Sequence, residues 1–236
     1  MPRSDRARRA RASASAAQGS PAPEHLVYEP EHDLGMERLI FFSDAVFAIA
    51  ITLLALEIRL PAGAEIGDED LLGALLTIWP KYLSYVISFL VIGSYWMSHH
   101  RMFRAIARYD RRLMLINLLL LLCIGFVPFP TAIIGEHLGS VATIFYALTM
   151  LVTGLVTAWL WWYATGAGGR LLAQPLTRRE LWSTRLRTLA APAIFLASIG
   201  LSLWQDDFAR LSWLALFLAL RLIPRDAERE ANASAP

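Results

Sequence analysis

Four long apolar runs, near residues 38–60, 71–98, 112–134 and 141–165, decide most of what this chain of 236 residues can fold into. As helices rising 1.5 Å per residue, each is long enough to cross roughly 30 Å of hydrocarbon. Apolar residues make up 56% of the chain and eight are tryptophan, far from the average soluble domain. An all-α integral membrane protein is expected, since nothing resembles the alternating ten-residue segments of transmembrane strands. A fifth run, about 188–204, is shorter and contains Pro192. A sixth, about 208–223, lies between Arg210 and Arg221, whose stems can reach the interfaces.

Charge placement tests the count, because Lys and Arg collect on the cytoplasmic side. With six transmembrane helices, one side holds Arg38, the loop Arg101, Arg104, Arg108, Arg111 and Arg112, the loop Arg170, Arg178, Arg179, Arg185 and Arg187, and Arg221, Arg225 and Arg229. The other side holds only Arg59, Lys81 and Arg210, together with Glu65, Asp68, Glu69, Asp70, Glu136, Asp206 and Asp207. Five helices would put the last arginines outside. The expectation is therefore six helices with both termini cytoplasmic, in the inner (plasma) membrane. Trp79, Tyr82, Trp204 and Trp213 fall at outer ends and Trp159, Trp161, Trp162 and Tyr163 at an inner one, as interfacial belts do.

Residues 1–35, rich in Arg, Ala, Ser and Pro, read as a disordered cytoplasmic tail, residues 36–224 as the membrane domain and 225–236 as a short cytoplasmic tail. The single cysteine, Cys123, lies in an apolar run and reads as a small packed residue, which leaves no intrachain disulfide and no cysteine metal cluster. A net charge of +2 does not argue for nucleic acid. No paired catalytic carboxylates, activated nucleophile or phosphate loop points to an enzyme, and no cofactor is implied.

The first run places Ser43 and Asp44 a turn and a half inside an otherwise apolar helix. With Ile49 at zero on a wheel of 100° per residue, Leu53 lies at about 40°, Leu56 at about −20° and Thr52 at about −60°. Ser43 and Asp44 lie at about 120° and 220°, on the opposite side. A carboxylate in a membrane helix costs roughly 2.5–3.5 kcal/mol at the centre if unpaired, so Asp44 needs partners. The second span descends through "GSYWMSHHRMF", bringing Ser94, Trp96, His99 and His100 to the depth of Asp44, and the third reaches Asn117 after about one and a half turns. Either a structural hydrogen-bond network or a proton relay accounts for this convergence. His99 and His100 are adjacent, point about 100° apart and lack the spacing of helical zinc ligands, so metal binding is not expected. On the residues alone, helix packing or lipid contact explains the Ile49 stripe better than a pore does. Glu57 reads equally as a cation-collecting acid at a mouth or as a solvated interfacial one, and Arg38 as a headgroup or loop contact.

Arg38-Leu-Ile-Phe-Phe42-Ser43-Asp44, of the form R-x-x-x-F-S-D, opens the first helix. With "SYWMSHHRMF" and "NLLLLLCIGFVPFPT", it resembles the bacterial branch of the transmembrane-protein-175 family, relatives of the endosomal and lysosomal potassium channel, over residues 36–224. The resemblance implies a homotetramer whose first helices line a central cation pore, with a hydrophobic constriction in place of a carbonyl filter. It assigns the constriction to Ile49, Leu53 and Leu56, the stripe the wheel isolates, and an influence on ion preference to Thr52. It places the motif residues in a network behind the pore: Arg38, Phe42, Ser43 and Asp44, with Ser94, Trp96, His99, His100 and Asn117. Its partners are potassium ions and lipid. No T-V-G-Y-G stretch is present, so selectivity is expected to be modest. The competing reading is a proton- or solute-coupled transporter using Asp44, His99 and His100.

Overall fold

The computed structural model describes residues 30–60, 67–137, 139–166, 169–203 and Trp213. Within them run seven helices: α1 (Pro30–Leu56), α2 (Asp68–Thr77), α3 (Trp79–Ala105), α4 (Arg111–Phe126), α5 (Pro128–Glu136), α6 (Ser140–Ala164) and α7 (Arg178–Ser202). The chain divides between Gly35 and Met36, and the second unit is the one considered below. Residues 1–29, residues 61–66 around Glu65 and the sixth run with the C-terminal tail, apart from Trp213, lie outside the described residues; α1 begins at Pro30, inside the stretch expected as a disordered tail, and Asp68, Glu69 and Asp70 open α2.

In α1, Met36, Leu39, Ser43, Phe47, Ala50 and Leu54 are buried, spaced by threes and fours so that they share one face. Leu56 ends the regular helix. The turn after it tightens, with Glu57 N–H donating to Leu54 and Ile58 N–H to Ala55. Whereas α6 and α7 lie closely against each other, α1 meets its neighbours through side chains more than by close backbone approach.

The run expected as one span over 71–98 is broken. Ile78 leaves helical geometry, Pro80 lies at the start of α3 where its missing N–H costs nothing, and α2 and α3 meet at a 48° bend. Apolarity alone does not reveal that break, which Trp79-Pro80 causes. At its other end α3 runs on to Ala105, past the expected limit, because buried His99, Met102 and Phe103 continue its packed face. Pro128 and Pro130 interrupt the third span at Val127, leaving α4 and α5 as two pieces of a 26-residue segment, Arg111–Glu136.

Three segments (Leu34–Leu56, Arg111–Glu136 and Ser140–Ala164) are long and apolar enough to cross a membrane, and the bent α2–α3 pair makes four. α7, the expected fifth, begins at Arg178 behind a capping box in which Thr177 and Glu180 satisfy each other's backbone N–H groups. Its arginine-rich first half keeps it out of that class. Pro192 lies inside α7, and its ring packs on Gly154 of α6: a Cβ at Gly154 would come within 2.8 Å of it. Trp213, expected in an outer belt, instead sits in the core, its ring 4.6 Å from that of Tyr146 and its Nε1–H donating to Ser198 Oγ at 2.7 Å. Trp161 is buried as well, whereas Trp159 and Trp162 are exposed as interfacial residues are.

Candidate functional site: the first helix and its clamps

Midway along α1 the polar residues predicted to converge form two groups. The buried group is a directed chain of hydrogen bonds. His99 Nε2 meets Asn117 Oδ1 at 2.9 Å, Asn117 Nδ2 donates to Ser43 Oγ at 2.9 Å, and Ser43 Oγ donates to the Leu39 carbonyl at 2.8 Å. Three helices are tied by side chains that satisfy one another, the condition for burying such groups in protein within a membrane. Phe47 and Phe103 hold the His99 ring, with centroids 5.5 and 4.2 Å away.

The second group lies outside this chain. Trp96 Nε1–H donates to Asp44 Oδ1 at 2.9 Å, and the Trp96 ring stacks on the exposed His100 at 5.7 Å. Asp44 is half-buried, so its partner is a neutral indole and its remaining lone pairs can reach solvent or headgroups. Ser94 is buried but bonds to the Val91 carbonyl of its own helix at 2.7 Å, and so joins neither group. Arg38 and Phe42 are exposed on the opposite side of α1 and take no part in either within one chain.

That opposite side bears the stripe. Ile49, Leu53 and Leu56 are 58%, 40% and 60% exposed, while Phe47, Ala50 and Leu54 between them are buried. Thr52 is exposed too, its hydroxyl proton donated to the Ile49 carbonyl at 2.8 Å. With its proton turned inward, the Thr52 oxygen offers lone pairs outward. One face of α1 is therefore fixed to its own subunit and the other is bare and aliphatic.

The far end of α1 has a clamp that sequence reading missed. Lys81 of α3, only 15% exposed, donates from Nζ to Glu136 of α5 at 2.9 Å and to the Arg59 carbonyl just beyond α1 at 3.2 Å. Arg59 Nε in turn donates to the Leu56 carbonyl at 2.9 Å. Beside it, a cavity of about 10 Å³, lined by Leu54, Glu57, Ser84 and Thr131 among others, leaves space for about one water. Glu57 thus points at least partly into the subunit. Lys81→Met keeps the stem and removes both bonds. It is expected to lower the melting temperature in detergent by several degrees, about 1–3 kcal/mol, because Glu136 and the carbonyl lose a shared cation. Lys81→Arg, which keeps a cation there, is expected to retain most of the stability, and an unchanged melting curve for Lys81→Met would contradict the clamp.

Two further features were not singled out from sequence. Thr131 Oγ1 donates to Ser88 Oγ at 2.9 Å, and Ser88 meets Tyr146 OH at 3.1 Å, tying α5, α3 and α6 midway along their lengths. The only signal is single hydroxyls inside the apolar stretches "YVISFL" and "FPTAII". At the arginine-bearing end, Asp110 caps α4 by accepting Leu113 N–H at 2.8 Å and also accepts the Tyr163 hydroxyl. Desolvation pushes the Asp110 carboxyl up, but these bonds and the nearby Arg112 charge more than offset it, so its pKa lies below the usual carboxylate value.

These features define an all-helical membrane protein whose first helix is held from behind at both ends and bare in front. Residues 38–128 match the family of the endosomal/lysosomal potassium channel TMEM175. A protein from Streptomyces collinus named a potassium channel is 38% identical over 203 residues, spanning 83% of this chain and 97% of its own length. Another so named, from Chamaesiphon minutus, is 41% identical over 169 residues, spanning 70% and 83%. The crystal structure of a lysosomal potassium-selective channel TMEM175 homologue from Chamaesiphon minutus matches with a TM-score of 0.69 at 35% identity, over 79% of this chain and 97% of that one. The chain belongs to the TMEM175 family.

Proposed function

We propose that this chain is a potassium-permeable cation channel, assembled as a homotetramer in which α1 of each subunit faces a shared axis. The observation that carries the reading is the two-faced α1: Ser43, Phe47 and Leu54 buried, with Ile49, Leu53 and Leu56 exposed on the opposite face. In an assembly those side chains form the constriction. A narrow aliphatic ring gates by dewetting, excluding water until widened, and it selects ions only modestly because it offers no carbonyl cage. Thr52, with its oxygen lone pairs outward, adds a polar contact beside the ring and biases ion preference. The relatives' names, potassium channel in each case, support the same reading.

The six-helix subunit is residues 36–224, with flanking tails at both ends. Its arginine-rich loops lie toward the cytoplasm, as the asymmetry of Lys and Arg among the loops supports. Ser43 and Asp44 of the motif clamp α1 rather than meet the ion. A proton-coupled transporter is the weaker reading: the His99–Asn117–Ser43 chain ends on the Leu39 carbonyl, which cannot take up a proton, and among the described residues Asp44 bonds to Trp96 instead of to that chain. Purified protein in liposomes is expected to pass potassium faster than sodium and to migrate in mild detergent as a tetramer. A stable monomer, or flux no greater than in empty vesicles, would overturn the proposal.

A further inference from the structure

At the arginine-bearing end, two loops are joined by a short antiparallel ladder. Ala107 N–H and Arg108 N–H both donate to the Leu171 carbonyl at 2.8 and 3.1 Å, and Ala173 N–H donates to Ala105 at 2.9 Å, around a bridge between Ile106 and Leu172. Gly169, at φ 73°, takes the left-handed conformation that turns the chain into this ladder, and Leu172 N–H closes the turn on its carbonyl at 2.9 Å. Arg108 thus bonds to the residue next to Arg170, and the two issue from adjacent backbone, both exposed.

Like charges on paired backbone repel unless something lies between them. Among the described residues neither guanidinium has a carboxylate in an ion pair: the pair that is seen, Lys81–Glu136, is at the other end of the helices. The carboxylate oxygens of nearby Asp110 point to Leu113 N–H and Tyr163 OH and form no ion pair with either arginine. Glu180 is folded back onto Thr177, 2.7 Å from its N–H and 2.8 Å from its hydroxyl. The last two turns of α6, which lead into this turn, expose Trp159 and Trp162 at 53% and 46%. Indoles at that depth favour the glycerol and upper acyl region of a bilayer.

We infer that Arg108 and Arg170 form a binding site for the phosphate headgroup of an anionic phospholipid, whose apolar part lies against Trp159 and Trp162. The headgroup neutralises the guanidinium pair and the indoles favour a lipid over a soluble anion. Because the ladder starts at the last residue of α3, occupancy steadies the helix that carries His99.

The inference reads on stability and so stands or falls apart from ion conduction. Purified full-length protein in mild detergent is titrated with short-chain phosphatidylglycerol, and the melting temperature is followed. A saturable rise is expected with phosphatidylglycerol and not with phosphatidylcholine of the same chain length. Arg108→Gln with Arg170→Gln is expected to raise the half-saturating concentration by about twenty-five-fold, at about fivefold per arginine. Arg178→Gln with Arg179→Gln, which removes equal charge elsewhere, is expected to leave it within about twofold. No rise, an equal rise with phosphatidylcholine, or an equal loss in both double variants would overturn the site. So would a rise reproduced by inorganic phosphate alone, which would assign the pair to a soluble anion.

Discussion

Leu53→Ala is expected to increase potassium flux by about tenfold or more in proteoliposomes, with little change in thermal stability. Leu53 is at the centre of the exposed stripe and half-exposed in the subunit, so truncation removes little intrachain packing. In a tetramer it removes apolar bulk from the neck four times over. Each buried methylene is worth about 0.8 kcal/mol in apolar surface, and about 1.4 kcal/mol off a barrier is tenfold in rate. The neighbour Leu54 is the internal contrast. It is wholly buried, and Leu54→Ala is expected to cost about 2–5 kcal/mol of stability instead of acting first on flux. Equal stability losses at both positions, or unchanged flux in Leu53→Ala, would count against the assignment of faces.

Asn117→Ala is expected to be the most damaging of the polar substitutions. The amide accepts from His99 and donates to Ser43, both buried, so its removal strands two groups at once. At about 1–3 kcal/mol for each orphaned group the loss is about 2–6 kcal/mol, even though single interhelical bonds in membranes average only about 0.6. Detergent melting and the tetramer fraction after purification read this directly. Asp44→Ala is expected to cost less stability, since only the Trp96 indole loses a partner and both residues border solvent. It is expected to lower tetramer yield more than it alters ion preference. A ranking with Asp44→Ala well below Asn117→Ala in stability would contradict the two-group arrangement.

Much of this was legible in the residues, and the parts that were not have physical causes. The runs near 112–134 and 141–165 gave spans because periodicity and length suffice there. The two faces of α1 follow from 100° per residue, which sets Ser43 opposite Ile49 whatever the neighbours are. Convergence of Ser43, Asn117 and His99 was inferred from depth. Separation of Asp44 and Trp96 from them was not, since it depends on how helices are rotated about their axes. Ile78 lies in an apolar run, and only the Trp79-Pro80 pair marks the bend there. Lys81 counts in the sequence only as one of three outer cations because its pairing with Glu136 spans 55 residues, and a belt position for Trp213 assumed a helix end where tertiary packing supplied Tyr146, Phe195 and Ser198 instead.

The central claim, that ions pass along the Ile49–Leu53–Leu56 face of α1, is tested most directly by thiol accessibility. Cys123 is the chain's one cysteine, so Cys123→Ala provides a cysteine-free background. Leu53→Cys on that background, reconstituted and conducting, is treated with a charged methanethiosulfonate reagent while potassium flux is recorded. Leu122→Cys, at an exposed position on α4, serves as the comparison. The account predicts that modification at position 53 blocks flux and that treatment of the 122 variant leaves it unchanged. Full modification at 53, verified by mass, with flux undiminished would contradict it.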